Sequence, residues 1–175
     1  MSTAPASRQQ LTLFVPAPWQ TSIDALRRRL DPVQASLIAA HVTLCREDEI
    51  SPTDRDEFLE RVRSWTHGPI RLTFGAPELF RGHGVLLPCT EGGDQFQRLR
   101  QWLLQSQTVR VHRAHLTLAH PRNPQSAENT AAVRNACGRS TALEFPTVAL
   151  IVQQGNARWR IAQEERLGGG TRGPP

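Results

Sequence analysis

The sequence predicts an α/β (α+β) domain made of two similar halves, each a mostly antiparallel sheet with flanking helices, facing each other across a groove. Three observations predict it. Short alternating apolar runs trade places with helix-period stretches along the 175-residue chain. The tetrapeptide His41-Val-Thr-Leu44 returns with one residue changed as His115-Leu-Thr-Leu118. The offset between them, 115 − 41 = 74, also carries the helix expected at 51–65 onto one expected at 125–139. It carries the strand at Ile70 onto Glu144 in a later strand, and the turn at Gly82 onto Asn156.

Taken in order, residues 1–8 read as a flexible start, and the ordered domain as 9–167. Gln10–Pro16 alternates as a strand. Ser22 is a candidate cap for a helix to Leu30, with Ile23, Leu26 and Leu30 on one face. Ser36–Cys45 alternates loosely as a strand. Ser51-Pro-Thr-Asp opens a helix that stops near Gly68. Ile70–Phe74 and Gly84–Cys89 read as a hairpin around Arg81-Gly82-His83. Gly93–Ser106 is helical, Val111–Ala119 a strand and Ser126–Cys137 a helix. A last hairpin runs from Ala142–Gln153 through Gly155-Asn156 to Arg158–Gln163. The Gly- and Pro-rich stretch 168–175 reads as a flexible tail.

Composition narrows the class without choosing a ligand. The net charge is +5, and every basic residue is Arg, whose planar fork suits phosphate oxygens. An Arg bias beside abundant Ala and Gly also fits GC-rich coding, so composition is neutral between nucleic-acid binding and ordinary solubility. No apolar run approaches the roughly 18 residues of a membrane-spanning helix, and residues 1–8 lack a signal-peptide core. A cytoplasmic monomer with no membrane association is the expectation. Cys45, Cys89 and Cys137 are odd in number and without a C-x-x-C, as expected of reduced thiols.

The chemistry lies in the repeated tetrapeptides. Composition alone would yield about 0.05 copies of His-x-Thr-Leu in a chain of this length, so a pair is not an accident of sampling. Side chains alternate along a strand, so His41 and Thr43 share one face, about 6.5–7 Å apart, while Val42 and Leu44 anchor the other. His115 and Thr117 repeat this over Leu116 and Leu118. Each half thus offers an imidazole and a hydroxyl to a common surface. Imidazole titrates near neutrality, so one ring can act as base while the other acts as acid. Hydroxyls and guanidiniums suit the charge that builds on phosphorus.

These paired motifs resemble the His-x-Thr/Ser motifs of the two-histidine phosphoesterase superfamily, most closely its bacterial 2′-5′ RNA ligase-like, or cyclic phosphodiesterase, branch. The resemblance covers nearly the whole ordered chain in spacing and element order. It implies a bilobed fold with pseudo-twofold symmetry and an active site in the central cleft. By position it assigns His41 and His115 as the catalytic pair, with Thr43 and Thr117 binding substrate. The implied reaction is hydrolysis of a 2′,3′-cyclic phosphate, on an RNA end or a nucleotide, to a 2′-phosphomonoester. Reversible 2′-5′ ligation uses the same apparatus, and neither direction needs a cofactor or metal.

Outside the tetrapeptides the reading is thinner. Arg46 and His120 occupy matching places after the two motifs (46 + 74 = 120), and His120 and Arg122 are candidate phosphate contacts. Cys45 shares the parity of His41 but reads as a small buried filler. Phe14 and Trp159 read as core aromatics with base stacking as the alternative. His67 and His83 fall in turns. His112, His115 and His120 are spaced so that neighbours lie on opposite strand faces, unlike a chelating set. Two other classes stay open at this point: a non-catalytic RNA- or nucleotide-binding module that keeps the cleft, and a protein-interaction domain carrying the motifs incidentally.

Overall fold

In the computed structural model, residues 7–123 and 140–168 are described. The elements are β1 (Ser7–Phe14), α1 (Trp19–Leu30), α2 (Pro32–Leu37), β2 (His41–Cys45), a 3₁₀ turn (Pro52–Asp54), α3 (Arg55–Ser64), β3 (Ile70–Phe74), β4 (Glu78–Phe80), β5 (Gly84–Glu91), α4 (Gly93–Leu104), β6 (His115–Ala119), β7 (Thr141–Phe145), β8 (Thr147–Gln154) and β9 (Arg160–Arg166). The helix expected at Ser126–Cys137, together with Cys137, lies outside the described residues, as do most of the two ends read as flexible. None of the described helices is long and apolar enough to cross a membrane.

The strands form two antiparallel sheets. The first has the order β2-β1-β8-β9; in the second, β5 pairs with β6, with β4 and with β3, and β3 pairs with β7. The 74-residue offset is written into their registers. Phe14 faces His41, Leu13 faces Val42 and Thr12 faces Thr43; 74 residues on, Pro88 faces His115, Leu87 faces Leu116 and Leu86 faces Thr117. Even the register irregularity repeats, between Leu11 and Thr12 and again between Val85 and Leu86. Helices α1 and α4 begin and end 74 residues apart.

The lobes are not contiguous halves of the chain. Strands cross between the halves: β3, from the first half, joins β5 in the second sheet, whereas β8, from the second half, joins β1 in the first. The stretch Ala142–Gln153, expected as one strand, is therefore two. Pro146 interrupts it, lacking the N–H that a continuous ladder needs, and β7 stays with β3 while β8 leaves for the other sheet. Crossing over also explains why one hydrophobic core spans both lobes. Leu11, Leu13, Val42 and Leu44 from the first sheet belong to the same buried cluster as Leu72, Phe74, Leu116 and Phe145 from the second. The inner faces of α3 (Phe58, Leu59, Val62) and α4 (Phe96, Leu99, Leu103) complete it.

Other boundaries move for local reasons. Helix α1 starts three residues before Ser22, whose hydroxyl bonds back to the Trp19 carbonyl instead of capping. The strand expected over Ser36–Cys45 shrinks to His41–Cys45, because Asp31 caps a short helix with Pro32 in its first turn. Residues 111–114 likewise precede β6 rather than belong to it. The 81–83 turn closes β4 onto β5, with Arg81 and Gly82 both at positive φ. Gly92 starts α4 at φ +89, where a Cβ would lie 2.1 Å from the Arg71 carbonyl oxygen, so only glycine fits.

Asp31 also ties the lobes together. It is buried; Oδ1 accepts the Gln34 N–H at 3.1 Å, and Oδ2 accepts the His120 N–H at 2.9 Å. Asp31→Ala leaves both donors unpaired and is expected to cost about 2–3 kcal/mol in urea denaturation. A loss below about 0.5 kcal/mol would count against this tie.

Candidate active site

His41 and His115 each open a strand, and the burial of the five residues of each strand runs the same way: half-buried, buried, half-buried, buried, buried. Each His and Thr therefore stands on the open face while the two aliphatic residues enter the core, as alternation requires. The strands β2 and β6 come from different sheets and touch each other. The fold thus gathers His41, Thr43, His115 and Thr117 where the two sheets meet.

The imidazoles are held alike. His41 Nδ1 donates to the Ala39 carbonyl at 2.8 Å, and His115 Nδ1 donates to the Arg113 carbonyl at 2.9 Å, each two residues upstream. A carbonyl can only accept, so this bond assigns the proton to Nδ1 and leaves Nε2 as the nitrogen that the carbonyl does not engage in either ring. Each ring also leans on a phenylalanine. Phe14 is edge-on to His41 at 6.3 Å, and Phe80 is tilted against His115 at 6.0 Å, with the Arg81 guanidinium also over the Phe80 ring. Phe80 is a flank that sequence reasoning missed, because it reaches His115 from a different hairpin.

Burial pushes the His41 pKa down to about 4, the Ala39 hydrogen bond opposing and the Arg27 charge assisting. His41 is therefore neutral at pH 7. Arg27 is itself buried on α1, bonded to Asp24 at 2.8 Å and to the Ile38 carbonyl at 2.8 Å. Asp24 in turn accepts the Ala40 N–H at 2.8 Å. This ion pair holds Ile38 and Ala40 on the approach to His41. Its signal was present in the sequence: Arg27 interrupts the Ile23, Leu26, Leu30 stripe. His112 also has its pKa lowered to about 4, by burial and by Arg100, and its ring lies 5.6 Å from that of His115.

The remaining candidates separate from this centre. His120 and Arg122 follow the far end of β6, about 16 Å along the strand from His115. With Asp31, Pro32, Gln34 and Asn123 they line a cavity of about 300 Å³. Cys45 is fully buried, and its thiol is pushed up to about 12 by burial, which suits the filler role. Trp159 packs with Ile38, Ala149, Ile151 and Phe14 in a small satellite core, with Arg8 over its ring. Among the described residues, no three His, Cys, Asp or Glu side chains gather as a metal-binding group.

Comparison with solved structures places this architecture among known folds. The chain superposes on E. coli LigT complexed with 3′-AMP at a TM-score of 0.61 and 18% identity, covering 92% of this chain and 98% of that one. A crystal structure described as a phosphoesterase gives 0.56 at 16% identity, covering 94% and 99%. The protein TT0787 of Thermus thermophilus gives 0.58 at 13% identity, covering 93% and 98%. No family model matches the chain, and no curated protein matches it by sequence. The fold is that of the LigT-like proteins, and the resemblance to two-histidine phosphoesterases holds at that level.

Proposed function

We propose that this chain is a metal-independent phosphoesterase that opens a 2′,3′-cyclic phosphate on an RNA end or nucleotide to a 2′-phosphomonoester. The observation that carries the reading is the matched tethering of two imidazoles by Nδ1, which leaves two Nε2 atoms for one ligand. Structures of LigT complexed with phosphate, 3′-AMP, ATP and NADP+ support a nucleotide or phosphate ligand for this fold.

In the proposed reaction, neutral His41 takes a proton from water through Nε2 as the oxygen bonds to phosphorus. His115, protonated on both nitrogens, gives its Nε2 proton to the departing O3′. The products are a 2′-phosphate and a free 3′-hydroxyl. Water and the cyclic ester supply every atom, and the protein returns to its starting charge after proton exchange. The depressed pKa of His41 favours it as the base. Thr43 and Thr117 donate to the two non-bridging oxygens, where charge grows in the transition state. With a 5′-hydroxyl in place of water, the same step forms a 2′-5′ linkage and frees the 3′-hydroxyl; its reverse cleaves that linkage and restores the cyclic phosphate. His120 and Arg122 would meet only a distal part of a longer substrate.

The test is turnover of nucleoside 2′,3′-cyclic phosphates with and without chelator, with the product resolved as 2′- or 3′-phosphate. Chelator-insensitive formation of the 2′-phosphate is the expected result. Binding without turnover across cyclic phosphates and 2′-5′ oligonucleotides would favour a non-catalytic module instead. Thr43→Val and Thr117→Val keep side-chain shape and remove one donor each. Each is expected to lower kcat about 10- to 100-fold; unchanged kcat in the double variant would remove the hydroxyls from the mechanism.

A further inference from the structure

We propose that Arg100, clamped by Glu49, is a positioning residue that sets the spacing of the two histidine strands. It builds on the phosphoesterase reading by naming what holds the pair in register. Arg100 lies within the Phe96, Leu99, Leu103 stripe of α4 and is 0% exposed. Its guanidinium faces three partners. Nη1 donates to the Leu44 carbonyl and to Glu49 Oε2 at 3.1 Å; Nη2 donates to Glu49 Oε1 at 2.7 Å and to the Arg110 carbonyl at 3.2 Å.

Those carbonyls matter by position. Leu44 closes the first tetrapeptide, one residue beyond Thr43. Arg110 lies in the segment that enters β6, whose Arg113 carbonyl holds His115 Nδ1. One planar group therefore bonds to the chain leaving the first motif and to the chain approaching the second. Glu49 extends the grip by accepting the Arg46 N–H at 2.9 Å, which fixes the turn after β2. His112 sits in the same approach, its ring against Phe96 of α4 at 6.2 Å and against His115.

Stability alone is a poor reason for such a pair. Taking two charges out of water is costly, and well-packed apolar replacements are often at least as stable. What the guanidinium adds is direction: a rigid fork whose donors point at acceptors fixed in space. An ammonium can neutralise Glu49 but cannot span both carbonyls.

The experiment compares wild type with Arg100→Lys and with Arg100→Met/Glu49→Leu, which removes both charges. It reads thermal stability, kcat and KM on a nucleoside 2′,3′-cyclic phosphate, and water exchange of the His115 Nδ1 proton by nitrogen-resolved NMR. Arg100→Lys is expected to fold, to lose about 10- to 100-fold in kcat with KM within about threefold, and to exchange the His115 proton faster. The double variant should match wild-type stability and show the same kinetic loss. Wild-type kcat in folded Arg100→Lys, or an unchanged exchange rate at His115, overturns the proposal. If the double variant does not fold, Arg100→Lys decides. If wild type turns over no cyclic phosphate, the phosphoesterase reading fails, and the exchange measurement still tests the positioning role.

Discussion

His41→Ala and His115→Ala are each expected to lower kcat on a nucleoside 2′,3′-cyclic phosphate by about 10²- to 10⁴-fold, with the folded state retained. In the proposed reaction each ring acts through Nε2, because Nδ1 is tied to a backbone carbonyl. Alanine removes the proton carrier and leaves the strand in place, because Val42, Leu44, Leu116 and Leu118 on the opposite face stay in the core. The double variant should be little worse than either single one, since acid and base act in the same step. The stability change should stay near 1 kcal/mol, about the worth of one hydrogen bond to a carbonyl. Steady-state kinetics and urea denaturation of the same preparations check both halves. If both single variants turn over at the wild-type rate, the assignment of these histidines is wrong.

Acidification should destabilise the protein between pH 6.5 and 4 through His41 and His112. Both imidazoles have their pKa lowered from 6.5 to about 4 in the folded state. In that window the unfolded chain binds protons that the folded chain refuses, so unfolding free energy rises with pH and falls as acid is added. The loss begins below 6.5 and is complete below about 4. His41, itself half-buried, contributes about 2–3 kcal/mol at the limit, and His112, also partly exposed and screened, about 1 kcal/mol. Together these are a large share of the roughly 5–15 kcal/mol typical of a domain. Urea midpoints at pH 7 and 4.5 measure the effect, and His41→Ala should shrink the difference. Equal midpoints for wild type at the two pH values would refute it. The same shift places the acid limb of kcat/KM below 6.5, since His41 must lose its proton to act as base.

Much of this was legible because the repeated parts are local. A tetrapeptide in a strand fixes its own faces, so the sharing of one surface by His41 and Thr43, and by His115 and Thr117, follows from alternation alone. The offset of 74 was legible for the same reason, and the registers carry it to the residue. What was hidden is non-local. Phe80 reaches His115 only because the β4–β5 hairpin folds beside β6. Arg27 and Arg100 stood in apolar helical stripes, where a charge signals a buried partner, but no spacing rule names the carbonyls they would meet.

The sequence by itself determined the parts of the candidate site: two matching tetrapeptides, each on a strand, with His and Thr on one face. Side-chain alternation and helix period act over a few residues and need no partner. Only the tertiary structure decided that the copies meet, because β3 and β8 cross between sheets and one core closes over both lobes. It also decided the protonation state of His41. Burial and the placement of Arg27 belong to the packed state, and they hold His41 neutral in a way no tetrapeptide can specify.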